Sequence, residues 1–240
     1  MRTTPLPLTA LVALICLLSV LSAHGWQRLG KVVAWGLNDY GQASVPPGLT
    51  NVVAVVAGNY HSLALKADGT VFAWGNNSSG QTNVPLGLTN VSAIASFWYH
   101  SLALKEDGTV IAWGDYNFVP AGLSNVVAIA AGAYHNLALQ RSGQVVAWRG
   151  VEIDSNAPVG LTKAIGVAAG YNHSLVLNAD GTVVAWGDNS CGQTNVPEWL
   201  KGVVAIAAGG KYSLALTQNG EVVGWGAYDC PSLPFICLPG

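Results

Sequence analysis

Charged residues are scarce in this sequence. Only 9% of its 240 residues are charged, and 10 basic against 12 acidic side chains leave a formal net charge of -2. Proteins that bind nucleic acids usually carry a clustered basic face, and no such cluster occurs here. We therefore predict no nucleic-acid partner, whereas a hydrophobic content of 51% is enough for a compact core.

The sequence also lacks the short motifs that mark enzymes. It contains no GxSxG, no HExxH, no phosphate-binding loop and no pair of CxxC motifs. Nucleophilic, metal-dependent and nucleotide-dependent catalysis therefore have no visible machinery. We predict a protein that is not an enzyme and that uses no cofactor and no metal.

Long apolar runs are absent after the N-terminus. There, Arg2 precedes the apolar residues 10–21 and then small residues up to position 25, which is the order of a cleaved secretory signal peptide. The alternative is a buried helix or a membrane anchor, but about twelve apolar residues are too few to span a bilayer. We predict a signal peptide at residues 1–25, a secreted or periplasmic protein, and no membrane contact after cleavage.

Cysteine is rare as well, with four in the chain. Cys16 belongs to the predicted signal peptide, which leaves Cys191, Cys230 and Cys237 as an odd number in the exported protein. At least one thiol then has no partner within the chain. A bridge between Cys191 and Cys230 competes with one between Cys230 and Cys237, and both alternatives stay open.

What the sequence does contain is a repeat. Six runs such as KVVAWG, TVFAWG and QVVAWR carry tryptophans at positions 35, 74, 113, 148, 186 and 225. The spacing is 38 or 39 residues except between Trp113 and Trp148, where the loop after Trp113 is shorter. A period near forty residues is typical of propellers and related repeat architectures.

Each repeat has the pattern of three strands joined by tight turns. In the first complete repeat, residues 52–58, 61–66 and 70–74 are strand-like, and Asp68-Gly69 makes a hairpin turn. Both faces of these strands are apolar, large on one side and small on the other, which suits sheets stacked around an axis. We predict an all-β fold, a β-propeller of about six blades over residues 26–226, with a non-repeat tail at 227–240. A flat β-solenoid is the alternative.

The pattern AxGxYHSLALKxDGTVxAWGxNxxGQxxVP, which recurs in residues 31–226, resembles the repeat of the regulator of chromosome condensation superfamily. The short period and the Val-Pro after Gly-Gln resemble most the secreted bacterial branch typified by β-lactamase inhibitory protein II. The resemblance implies a protein-binding propeller, and for this branch an enzyme inhibitor that covers its target with an aromatic-rich face. The nuclear members act as nucleotide-exchange factors, a role that the signal peptide and slightly acidic balance argue against.

Closure of the ring is the point where this sequence departs from its relatives. The inhibitor branch closes seven blades, whereas the first repeat here consists only of its last strand, predicted at residues 31–36, and the sequence after residue 226 holds no further HSLALK. An open ring leaves strand edges unpaired. The alternatives are a truncated structural fragment of a larger protein, a tolerated open ring, and self-association with another copy through the unpaired edges.

Chain direction places two loops of every blade at one end: the turn before the histidine and the loop after the tryptophan. Aromatic residues with a few polar ones fill these segments, which is the composition of a binding hot spot. The alternative is that each aromatic packs on its own blade, but Phe97 and Trp98 replace the usual Gly-Asn and so favour a function. We predict protein-partner binding by Tyr60, Phe97, Trp98, Tyr99, Asp115, Tyr116, Tyr134, Tyr171, Asn172 and Lys211. The resemblance implies contact roles for the same set without Phe97, and a carbohydrate or cell-surface adhesion module is the alternative function.

Four histidines, at positions 61, 100, 135 and 173, raise the question of a metal. Each belongs to a different blade, whereas zinc needs its nitrogen ligands within about 2.1 Å of one point. The fifth repeat has Tyr212 instead, which a structural position tolerates more easily than a metal site. We therefore predict structural histidines.

Overall fold

The computed structural model of the chain describes residues 31–149, 152–153, 158 and 160–227. All of the regular elements in these ranges are β-strands. No helix in this part of the chain is long and apolar enough to cross a membrane. The predicted signal peptide and the tail from residue 228 onward lie outside the described residues, as do Cys16, Cys230 and Cys237. Cys191 is disulfide-bonded.

The described strands form five antiparallel sheets, which we call blades 1 to 5. Blades 1 and 2 contain β1 (Val52–Ala57), β2 (His61–Lys66) and β3 (Val71–Gly75), then β4 (Val91–Phe97), β5 (His100–Lys105) and β6 (Val110–Gly114). Blade 3 contains β7 (Val126–Ala131), β8 (Asn136–Gln140), β9 (Val145–Arg149) and the short β10 (Glu152–Ile153). Blades 4 and 5 contain β11 (Ala164–Ala169), β12 (His173–Asn178) and β13 (Val183–Gly187), then β14 (Val203–Ala208), β15 (Tyr212–Thr217) and β16 (Val222–Gly226).

The blades follow one another in a series, with the first strand of each packed beside the first strand of the next. These contacts join β1 to β4, β4 to β7, β7 to β11 and β11 to β14. Within the described residues no comparable packing joins β14 to β1. The predicted all-β propeller is therefore confirmed, and the described residues do not close the ring.

The prediction of a strand at residues 31–36 is wrong. These residues form no strand, and the indole of Trp35 is 80% exposed. A strand needs a neighbour for its backbone hydrogen bonds, and the described residues offer this segment none. The described fold therefore contains five complete blades, although the sequence contains six tryptophan runs.

The same apolar contact recurs between neighbouring blades. The Leu63 and Leu65 side chains of blade 1 pack against Ala103 and Trp113 of blade 2, and the equivalent residues repeat this contact at the next three junctions. We call the two sides of each blade its Leu face and its Trp face. Each fully buried leucine contributes about 1.5–3 kcal/mol by leaving water, so the junctions account for most of the apolar core.

Candidate functional site

Two loops of each blade lie side by side at one end of the propeller. The amide of Asn76, after β3, donates to the carbonyl of Tyr60, before β2, at 2.8 Å. Asp115 repeats this bond to Tyr99 at 2.9 Å. We call this end the upper face and the end that carries the β2–β3 type hairpins the lower face. The backbone thus holds the predicted turns and loops together at one end.

The glycine that follows each repeat tryptophan except Trp148 makes this close approach feasible. Gly75 has a φ of +104°, and a Cβ on it would lie 2.6 Å from the Tyr60 carbonyl oxygen. Any other residue would therefore be strained and would break the bond between Asn76 and Tyr60.

Each histidine latches its blade to the next one. His61 Nε2 lies 3.0 Å from Ser101 Oγ of blade 2, and that hydroxyl donates to the carbonyl of Gln81 at 3.0 Å. Since the serine proton is used there, the imidazole donates from Nε2 to Ser101. The same distance is 2.9 Å from His135 to Ser174 and 3.0 Å from His173 to Ser213, and His100 lies 2.8 Å from the Asn136 amide group. We call this arrangement the blade latch.

The latch histidines His61, His100 and His173 are neutral at neutral pH. Burial lowers the pKa of His61 from 6.5 to about 4, with a smaller contribution from His100, and burial likewise lowers the pKa of His173 to about 4. The pKa of His100 is also lowered by burial. Among the described residues no three His, Cys, Asp or Glu side chains are grouped to hold a metal ion. The hydrogen bonds to the next blade give these histidines a structural task.

Loop carbonyls cap the tryptophans of the following blade. Gln81 O also accepts from Trp113 Nε1 at 2.9 Å, and the Gln42 and Gln193 carbonyls do the same for Trp74 and Trp225. The shortened loop after Trp113 lacks this glutamine, and there the carbonyl of Phe118 accepts from Trp148 Nε1 at 2.8 Å. The deletion is therefore accommodated without losing the cap of blade 3.

Blade 2 departs from the repeat where Phe97 replaces glycine. In blade 1 a Cβ on Gly58 would lie 2.6 Å from His61 Nδ1, so a side chain there excludes the usual turn. Strand β4 instead extends to Phe97, which pairs with His100, and Trp98 takes a φ of +35°. Positive φ is unusual for a bulky residue and marks strain.

Tyr116, with a φ of +55°, is the second strained aromatic of the described chain. The remaining non-glycine residues with positive φ are Asn51, Asn90 and Asn125, and asparagine tolerates this conformation. Both strained aromatics lie on the upper face. Strain of this kind clusters at functional sites.

The upper face carries one continuous set of aromatic rings. Tyr60 stacks with Tyr99 at 5.7 Å, Tyr99 with Trp98 at 5.7 Å, and Trp98 with Tyr171 at 6.0 Å between ring centroids. Further rings meet this stack edge-on at 4.9–6.0 Å. We call the set the aromatic face; its members are Tyr40, Tyr60, Phe97, Trp98, Tyr99, Tyr116, Tyr134 and Tyr171.

Trp98 reaches from blade 2 to blade 4. The equivalent residue in the intervening blade 3 is Ala133, which is fully buried, and its small side chain leaves room for the indole to contact Tyr171. Tyr171 also meets Phe97 at 5.4 Å. The seven predicted aromatics from Tyr60 to Tyr171 are therefore brought together, although their binding role stays a prediction.

The three predicted polar residues lie on the upper face but outside this ring network. Asp115 accepts from Ser79 Oγ at 3.0 Å, and the carbonyls of Asn172 and Lys211 hold the ends of their blades.

Burial raises the pKa of Tyr99, as do the neighbouring Tyr60, Tyr40 and Asp115. The phenol therefore stays neutral and available as a hydrogen-bond donor.

Arg149 is a member of the upper face that the sequence-based prediction missed. Its guanidinium lies 5.5 Å from the ring centroid of Tyr134, within the range of a cation–π contact. The signal was present in the sequence, because a glycine follows each of the other five repeat tryptophans and Arg149 takes its place here. In blade 3 the chain continues past Arg149 into the hairpin of β9 and β10.

Comparison with protein families finds a similar repeat. Residues 52–81, 91–118, 164–193 and 203–229 match the regulator of chromosome condensation (RCC1) repeat. These four segments of the chain are similar to the RCC1 repeat. The matched segments correspond to blades 1, 2, 4 and 5, whereas blade 3, with Arg149, lies outside the match. No curated protein sequence matches the chain.

Solved structures show the same RCC1-like fold at low sequence identity. Yeast RCC1 (Prp20), in its complex with Kap60, is 22% identical with a TM-score of 0.66, and the match covers 80% of this chain and 65% of that one. The receptor kinase ectodomains of Arabidopsis thaliana ACR4 and Physcomitrella patens CR4 are each 21% identical, with TM-scores of 0.64 and 0.65. Those matches cover 80% and 75% of this chain against 74% and 53% of theirs. The chain thus spans less than two thirds of the yeast and moss proteins.

Proposed function

We propose that this chain is a binding protein that recognises a folded protein partner through the aromatic face. The observation that carries the proposal is the continuous ring network from blade 1 to blade 4, with strained residues at Trp98 and Tyr116. The RCC1-like structures support it by analogy, since yeast RCC1 is described bound to Kap60 and in binding to Gsp1p and histones.

The physical basis is pre-organisation. Aromatic side chains dominate interface hot spots, and a ring that is already held by its neighbours loses little conformational freedom on binding. Here Trp98 contacts three other rings, and Tyr116 is braced by His100 and Tyr134. A partner therefore meets a surface whose shape is set beforehand.

The finer proposal is that the protein is exported and inhibits an extracellular or periplasmic enzyme. It rests on the predicted signal peptide at residues 1–25 and on the resemblance to the bacterial inhibitor branch. Serine β-lactamases are the first probes that this resemblance suggests.

The test is a binding and inhibition assay of the purified chain against a panel of serine β-lactamases. We expect inhibition by the wild-type chain and at least a roughly 30-fold weaker Kd for Trp98→Ala, the size of a hot-spot loss of about 2 kcal/mol. Thr109→Ala, on the lower face, is the matched control and should bind like the wild type.

Two results would count against the proposal at different levels. Full activity of every β-lactamase at micromolar excess of the chain would remove the inhibitor role. Binding on a glycan array that Trp98→Ala abolishes would replace the protein partner by a carbohydrate.

A further inference from the structure

Blade 5 presents a Leu face that no other sheet of the described chain covers. At the four internal junctions the leucine pair of this face is buried, as Leu63 and Leu65 are. In blade 5 the equivalent Leu214 and Leu216 are only half-buried. Val222, which pairs with Leu216, is 50% exposed, whereas its blade 1 equivalent Val71 is buried.

Blade 1 presents the complementary Trp face. Phe72 is 44% exposed and Trp74 is half-buried, whereas the equivalent Trp113 of blade 2 is buried. Ser62 Oγ donates to the carbonyl of Gln42 at 2.9 Å, as Ser101 and Ser213 do to the carbonyls of Gln81 and Gln193. Blade 1 thus shows the receiving half of a junction, with an uncovered apolar surface.

We propose that two copies of this chain join head to tail, with the Leu face of blade 5 in one copy seated on the Trp face of blade 1 in the next. The joint continues an interface that the chain already forms four times within itself. The two halves are chemically complementary and occur on the same chain. The contact is heterologous, so each added copy leaves one free face of each kind.

The latch position of blade 5 fits this joint. Tyr212 occupies the place of the latch histidine, and its ring lies against Gly209 as that of His61 lies against Gly58. Ser62 Oγ, whose own proton goes to the Gln42 carbonyl, retains lone pairs that can accept a hydrogen bond across the joint.

The decisive experiment blocks one face at a time. Val222→Lys places a cation on the Leu face, and Phe72→Lys places one on the Trp face; both side chains are half-exposed, so folding should tolerate the changes. Ile165→Lys, at a 55% exposed position of β11 outside both faces, is the matched control. Circular dichroism checks that each variant is folded.

Light scattering from about 1 μM to about 100 μM, a range that brackets weak specific association, should show that the mass of the wild-type chain and of Ile165→Lys rises with concentration. Each blocked variant should stay monomeric. An equimolar mixture of the two should form a 1:1 dimer and stop there, because it retains one intact face of each kind. A monomeric wild-type chain throughout this range, or a mixture that stays monomeric, would overturn the proposal.

Discussion

The lower and upper faces are built from the same repeat but keep it with different strictness. On the lower face, Asp68, Asp107 and Asp180 each accept the backbone N–H two residues later, at 2.9–3.1 Å. On the upper face, the backbone bonds repeat but the side chains do not: the position of Asn59 holds Trp98, Ala133, Tyr171 and Gly210 in the later blades. Each blade therefore serves as a control for the others, and side chains that leave the pattern point to function.

The largest expected effect is a pH dependence of stability that comes from the buried histidines and not from the exposed aspartates. His61 and His173 have folded-state pKa values of about 4 against 6.5, so the unfolded chain binds more protons between these values. The stabilisation of the fold that depends on neutral His61 and His173 is complete above pH 6.5. It is lost as the pH falls, by about 2 kcal/mol of unfolding free energy for each histidine at pH 5. Urea unfolding at pH 7 and pH 5 measures the loss.

The lower face should contribute nothing to the change in stability between pH 7 and pH 5. Hydrogen bonds to Thr70 and Thr109 and to nearby lysines lower the pKa values of Asp68 and Asp107 to about 2. His173→Gln removes a titrating group and should reduce the pH dependence. Equal stability at both pH values in the wild-type chain would contradict the assignment.

An intermediate effect tests whether the lower face is purely structural. Asp107→Ala removes the acceptor for the Thr109 N–H, at 2.9 Å, and should cost about 1 kcal/mol of unfolding free energy. Partner binding should not change, because the hairpin lies at the opposite end from the aromatic face. If Asp107→Ala weakened partner binding more than Asp68→Ala does, the partner would contact the lower face as well.

The smallest effect on stability tests the strained upper face. Tyr116→Asn puts at a φ of +55° the residue type that Asn51, Asn90 and Asn125 already provide at such angles. Relief of strain and loss of ring contacts should nearly cancel, for a net change below about 1 kcal/mol. Partner affinity should fall nevertheless. Calorimetric melting and titration with any β-lactamase that the proposed binding assay finds to bind separate the two effects, and unchanged affinity would remove Tyr116 from the binding surface.

Sequence reasoning predicted the parts of the fold that local chemistry decides. The hairpins follow from Asp-Gly and related pairs, and the shared upper end follows from chain direction. The strand at residues 31–36 failed because a strand depends on a neighbour that periodicity does not show. The contact between Trp98 and Tyr171 depends on the small Ala133 between them, and Arg149 on a hairpin that interrupts the repeat, so neither could be read from one repeat alone.

The direction of the loop caps bears on how the protein is made. Gln81 lies before Ser101 and Trp113 in the chain, and both donate to its carbonyl. A sheet that leaves the ribosome therefore meets an acceptor that has already been synthesised, and its latch histidine closes when the following sheet arrives. Because the contacts run between neighbours, the chain can assemble one sheet at a time during translation, with no blade waiting for a distant part of the polypeptide.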